Sequence, residues 1–198
     1  MKTINNNVNN EYIINKSRFI CYLIKVNNIN DVNSSLDFFK SEYSDSTHIC
    51  YAYIIDNIKR FNDDGEPSGT AGMPILNVLE NNNLNYILCV VIRYFGGIKL
   101  GAGGLVRAYT KSVTLALNKT SINDLNDGFK IIISFKYEQL KLIDSLLKDN
   151  NIINKEYNND ITYTFMIKKN DFNSINDILI LNNINIIKKE DILFWMNW

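Results

Sequence analysis

A chain of 198 residues, 46% of them hydrophobic and 12% aromatic, has enough apolar mass to bury one large or two small cores. Its 21 Lys and Arg balance 21 Asp and Glu, which excludes a global basic field of the kind that drives non-specific binding to nucleic acid, so any such contact needs a local patch. The N-terminal Met-Lys-Thr-Ile runs into Asn-rich sequence without a secretory h-region, and no apolar run approaches the roughly 20 residues of a membrane span, so a cytoplasmic location without a membrane partner is expected.

A hairpin-like pair of strands near Tyr12 to Ile14 and Phe19 to Ile24 leads into a helix carrying Val32, Leu36, Phe39 and Tyr43. A strand from His48 to Ile55 follows, then a loop from Lys59 to Ser68 and a helix entered through Pro74, a residue tolerated in a first turn. The unbroken apolar run from Tyr86 to Ile92 reads as a buried strand. Glycines from Gly96 to Gly104 break it, and Val106, Tyr109, Val113 and Leu117 define a helix. The polar stretch Asn118 to Asp127 predicts a boundary between one domain over 1–120 and another over 128–198. Beyond it Ile131, Ile133, Phe135 and Tyr137 alternate at period two, and Leu142, Ile143, Leu146 and Leu147 then switch to helical spacing. A strand around Ile152 to Tyr157, the turn signal Asn158-Asn159-Asp160 and the alternating Ile161, Tyr163, Phe165 and Ile167 predict a hairpin. Phe172, Ile175 and Leu179 mark a helix, and Ile184, Ile186 and Ile187 begin a strand toward Phe194 and Trp195. The order βαββαβ is the ferredoxin-like split unit, and the chain as a whole belongs to the α+β class.

Roughly one residue in six is Asn, a drift in composition that turns its own gaps into signals. Tyr86 to Leu117 contains no Asn, and all four arginines, Arg18, Arg60, Arg93 and Arg107, precede residue 110 although Lys outnumbers Arg by 17 to 4. A planar guanidinium is not replaceable by an ammonium where an oxyanion or carbonyl must be held in fixed geometry, and this favours a functional need over chance. Cys21, Cys50 and Cys89 are odd in number and each sits in an apolar strand-like run, which predicts reduced buried thiols rather than a disulfide frame or a zinc site.

Eight of the nine glycines fall between Gly65 and Gly104, in two loops that each lead into a helix. The first loop carries Asp63, Asp64 and Glu66, three carboxylates within four residues that demand a divalent cation, an arginine or backbone donors. The spacing does not fit a calcium loop, and Asp with Gly also builds tight turns without any ligand. The second loop places Gly96 to Gly104 between Arg93 and Arg107, with Lys99 between them and Lys111 one helical turn beyond Arg107. Gly101, Gly103 and Gly104 let backbone approach a ligand at a helix start, so an anion fits there, and sharp turns fit equally well. Gly96 and Gly101 have a Walker-like separation, but Ala102 stands where the lysine belongs, and a dinucleotide fingerprint fails at Val106. His48, the single histidine, shares a strand face with Cys50, which suggests either a thiol–imidazole pair or an ordinary core histidine, with the latter favoured. Tyr51, Tyr53, Tyr94 and Phe95 suit base stacking but more commonly mark a core.

Lys16-Ser17-Arg18-Phe19-Ile20, Thr47-His48-Ile49-Cys50-Tyr51-Ala52-Tyr53, Arg60-Phe61 through Gly72-Met73-Pro74-Ile75-Leu76, and Ile92-Arg93-Tyr94-Phe95-Gly96-Gly97 through Arg107-Ala108-Tyr109 together resemble the YigZ/IMPACT family signature over residues 12 to 117. The resemblance implies a first domain folded like the second domain of small-subunit ribosomal protein five, and a second similar to ferredoxin-like domains of elongation factor G. Eukaryotic relatives restrain the amino-acid starvation response by binding the ribosome-associated activator of the initiation-factor-2α kinase, through a recognition domain this chain lacks. The expectation is a translation-linked regulatory protein that contacts ribosome or structured RNA, or a protein of the translation machinery. Its contact patch is expected to consist of Arg60, Arg93, Lys99, Arg107 and Lys111, and no cofactor is called for. One alternative is a small enzyme or nucleotide-binding protein with a metal on the acidic loop and phosphate at Gly101 to Gly104, since homoserine and mevalonate kinases share the broad fold. Another is a protein-binding adaptor anchored by Trp195 and Trp198.

Overall fold

The computed structural model describes residues 1–194. The chain forms two compact units, Met1–Asn123 and a second that begins at Asp124. Trp195 and Trp198, the expected adaptor anchors, lie outside the described residues.

In the first unit, strands β1 (Lys2–Ile4), β2 (Val8–Ile14) and β3 (Ser17–Lys25) precede helix α1 (Ile29–Glu42). Then come β4 (His48–Ile55), β5 (Ile58–Asn62), α2 (Gly72–Asn81), β6 (Ile87–Tyr94), α3 (Gly101–Leu117) and β7 (Ile122–Asp124). The main sheet has the order β2-β3-β6-β4-β5, with every neighbouring pair antiparallel, and β1 pairs with β7 separately. Placing β6 in the centre explains its unbroken apolar run. Cys89 and Val91 pack with Ile75, Leu79, Tyr109 and Val113 of α2 and α3, while Val90 and Ile92 pack on the other face with Val32, Leu36 and Phe39 of α1. A strand covered on both faces has no polar side to alternate. Helix α1 starts where the Asn28 side chain accepts from the N–H groups of Asn30 and Asp31. Cys21, Cys50 and Cys89 are free and buried on the α2/α3 face.

Three local expectations change. The stretch expected to be loop from Lys59 opens as strand β5, whose residues are all exposed and so carry no apolar rhythm; backbone pairing with β4 defines it. Helix α3 begins at Gly101, which moves Gly101, Gly103 and Gly104 from a preceding loop into its first turn. Tyr137 leaves the predicted strand for a 3₁₀ turn (Tyr137–Gln139), exposed after its strand has ended.

The second unit runs β8 (Asn126–Phe135), that 3₁₀ turn, α4 (Leu140–Leu146), β9 (Asn151–Tyr157), β10 (Ile161–Lys168), α5 (Lys169–Leu181) and β11 (Asn185–Phe194). The antiparallel order β11-β8-β10-β9 is the ferredoxin-like arrangement that the sequence order implied. Ile161, Tyr163, Phe165 and Ile167 are buried along β10 against Ile143, Ile175 and Leu179, with half-buried residues in between.

Gly128 sits where a Cβ would stand 2.2 Å from the Ile167 carbonyl oxygen and 2.3 Å from the Phe194 ring. Gly128→Ala therefore overpacks the sheet and should cost about 1–3 kcal/mol, read as a lower urea midpoint with an unchanged slope.

Candidate functional site

At one end of the main sheet, strand pairing sets Phe19 of β3 and His48 of β4 on either side of Arg93 of β6, all on the face covered by α2 and α3. Arg93 is only 5% exposed. Its Nη1 donates to Glu66 Oε1 at 2.5 Å, its Nη2 to Ser17 Oγ at 3.4 Å, and its guanidinium lies 5.4 Å from the Phe19 ring centre and 5.5 Å from that of Phe95. Its Nε has no hydrogen-bond partner among the described residues. Glu66, 7% exposed, comes from the loop before α2 and also accepts from the Tyr109 hydroxyl of α3 at 2.8 Å. His48 Nε2 lies 3.9 Å from Glu66 Oε2, and its Nδ1 is 2.7 Å from the Asp64 carbonyl oxygen. The acidic loop and the strand entering the glycine loop thus meet in a buried ion pair.

The other two acidic residues build the loop itself. Asp63 accepts from the N–H groups of Gly69, Ala71 and Gly72 at 2.9, 3.0 and 2.8 Å, which satisfies the start of α2, where the N-cap residue Ala71 makes no side-chain bond. Asp64 accepts from Ile49 N–H at 2.6 Å and holds the loop against β4. Each carboxylate is occupied by a protein donor, and among the described residues no group of three or more His, Cys, Asp and Glu is arranged for a metal. The turn-building reading of Asp63 and Asp64 accounts for them, and a divalent-metal site on this loop does not follow.

Cys50 is fully buried beneath His48; its S–H donates to the Asp63 carbonyl at 3.0 Å, and its sulfur is 3.3 Å from the Tyr109 hydroxyl. Burial pushes this thiol up to about 12; the Tyr109 hydrogen bond opposes it, and the nearby carboxylates of Glu66, Asp64 and Asp63 add smaller upward effects. A thiol so disposed is not a nucleophile near neutral pH. Burial likewise raises Tyr109 far above the usual phenol range, so it acts as a donor to Glu66.

The expected basic patch divides. Arg93 is interior, because its charge is matched by Glu66. Arg60 is exposed on β5 opposite Tyr53, a residue of the α1-side core, so it faces away from α3. Lys99, Arg107 and Lys111 remain exposed on the glycine loop and α3. Gly103, Arg107 and Lys111 recur every four residues and share one face of that helix. No Asp or Glu occurs between Asn81 and Asn123, and among the described residues none of these three cations has an ion-pair partner. Gly96 seats the loop: a Cβ there would stand 2.0 Å from the Lys16 carbonyl carbon, and its N–H donates to Ser17 Oγ at 3.2 Å. Gly97 and Gly101 take positive φ of 81° and 70°. Ser17 and Tyr109 escaped notice as polar partners because nothing in their spacing separates them from strand and helix core positions.

Residues 15–117 match the Impact N-terminal domain. The chain is 39% identical over 172 residues to the IMPACT family member YvyE of Bacillus subtilis (strain 168), covering 84% of this chain and 79% of that protein. It is 37% identical over 151 residues to the IMPACT family member YigZ of Escherichia coli (strain K12), covering 73% and 74%. Among solved structures it is similar to a hypothetical protein at 29% identity with a TM-score of 0.64, over 96% of this chain and 97% of the other. Among the described residues no helix is long and apolar enough to cross a membrane.

Glu66→Ala strands a buried guanidinium and should cost about 3–5 kcal/mol in urea unfolding, whereas Glu66→Ala with Arg93→Met should recover a large part of the loss. Cys50, neutral in the fold with a pKa raised from 9.0 to about 12, contributes stability that is complete below pH 9 and declines as pH rises toward 12. Native protein at pH 8 should accordingly resist alkylation at Cys50, and Cys50→Ala should flatten the alkaline limb of the stability curve.

Proposed function

The chain belongs to the IMPACT family, and from that premise we propose that it is a translation-linked regulatory protein that contacts ribosomal or other structured RNA through the glycine loop and α3. The observation that carries this reading is the run of exposed cations Lys99, Arg107 and Lys111, without an ion-pair partner among the described residues, on a stretch free of carboxylates. A chain of zero net charge has no long-range attraction for RNA, so such a local surface has to supply it. The N–H groups at the start of α3, with no side-chain cap and no acid in its first turn, add donors of the right sign for phosphate. Buried behind them, the Glu66–Arg93 pair holds the loop's strand rigid without adding to the surface charge.

An enzymatic reading with metal on the acidic loop is weaker, because Asp63, Asp64 and Glu66 are each committed to protein donors. Co-sedimentation with ribosomes and with bulk RNA across a salt series tests the proposal. Association should fall steeply with salt, and Arg107→Ala with Lys111→Ala should weaken it and lower the salt slope by about 2, about one per lost phosphate contact. Association that is absent at low salt, or indifferent to both substitutions, would overturn it.

A further inference from the structure

On the opposite face of the main sheet from α2 and α3, a cleft of about 510 Å³ opens between the edge strand β2, its neighbour β3, and helix α1. That volume lies in the range of small-molecule sites. Its walls carry no charged side chain. One wall is aromatic: the Phe38 ring, 59% exposed, stands edge-on to Phe39 at 5.3 Å, and Phe39 packs at 4.7 Å against Tyr22, which is itself held by a 2.5 Å hydroxyl bond to Tyr43. The aromatic wall is therefore fixed while one ring of it remains uncovered. Two of the polar groups at the rim are already engaged, with Asn7 Oδ1 accepting from Lys25 N–H and Ser35 Oγ donating to the Asp31 carbonyl. Asn9 and Ser34, which also line the cleft, have side chains that make no hydrogen bond among the described residues.

We infer that this cleft binds an uncharged, planar heteroaromatic ring bearing hydrogen-bond donors and acceptors on its edge, the chemistry of a nucleobase, supplied by a free nucleoside or by a base of single-stranded RNA. An ionised ring would enter a site without a counter-charge. An aliphatic ligand would leave the amide of Asn9 and the hydroxyl of Ser34 unused, and a sugar would turn hydroxyls onto the apolar surface of Tyr22, Ile24 and Phe39. A flat ring stacks on Phe38 and directs its polar edge to the amide of Asn9 and the hydroxyl of Ser34.

The test is a titration of the full chain, followed by amide NMR shifts, with adenosine, guanosine, cytidine and uridine, then with single-stranded RNA heptamers, and with methyl glucoside and indole as controls. Saturable shifts at 7–9, 22–24 and 34–39 are expected for at least one nucleoside or heptamer. Phe38→Ala should weaken binding about tenfold or more, and Asn9→Ala several-fold. Both side chains are exposed, so melting temperatures should hold. Equal affinity for nucleoside and heptamer assigns the free nucleoside as the source, and tighter heptamer binding assigns the RNA base. Absence of saturable shifts, shifts with indole or glucoside alone, or binding unchanged by Phe38→Ala overturns the site. RNA binding that survives Phe38→Ala but is lost with Arg107→Ala and Lys111→Ala overturns this inference while leaving the basic surface in place.

Discussion

The buried pair of Glu66 and Arg93 is the constraint on which the rest of the first unit depends. Moving either charge alone out of water costs several kcal/mol, and the short contact, the Tyr109 hydroxyl and the Ser17 hydroxyl together offset that cost. The result is one hydrogen-bonded cluster shared by four pieces of chain: the loop before α2, the end of β6, helix α3 and the start of β3. Once Glu66 is seated, Asp63 and Asp64 fall into place on the backbone of α2 and β4, and the loop closes over Cys50. A sequence rich in acids and glycines becomes a fixed element because its charges are matched inside the protein.

That matching also sorts the arginines. A guanidinium held by a carboxylate within the core does architectural work, and this is what Arg93 does. Arg107, with Lys99 and Lys111, is left on the surface of a segment that has no acid to neutralise it. The overall neutrality of the chain conceals a polar division within the first unit: residues 81–123 carry Arg93, Lys99, Arg107, Lys111 and Lys119 but no carboxylate.

The two faces of the main sheet differ in kind as well. Helices α2 and α3 cover one face and place the polar cluster at its end, whereas α1 alone supplies the helical cover of the other. One helix leaves an edge open beside β2, and the uncovered Phe38 ring stands there. Two surfaces of opposite chemistry, basic and charge-free aromatic, thus lie on the two sides of one small sheet.

Periodicity alone was enough to determine the α+β class, the ferredoxin-like second unit and most strands and helices of the first, because burying one face or two leaves a direct rhythm in the chain. It was silent about β5, whose residues are all exposed, and about the first turn of α3, where glycines carry no side chain to read. Candidate residues were legible as types: Asp63, Asp64, Glu66, Arg93 and His48 stood out against an Asn- and Lys-rich background. Their roles were not, since whether Arg93 meets RNA or Glu66 depends on a partner 27 positions away that only the antiparallel sheet and its loop bring to 2.5 Å. Local spacing encodes which face a residue occupies, whereas the contact that neutralises a charge is long-range, and only the tertiary structure decides it.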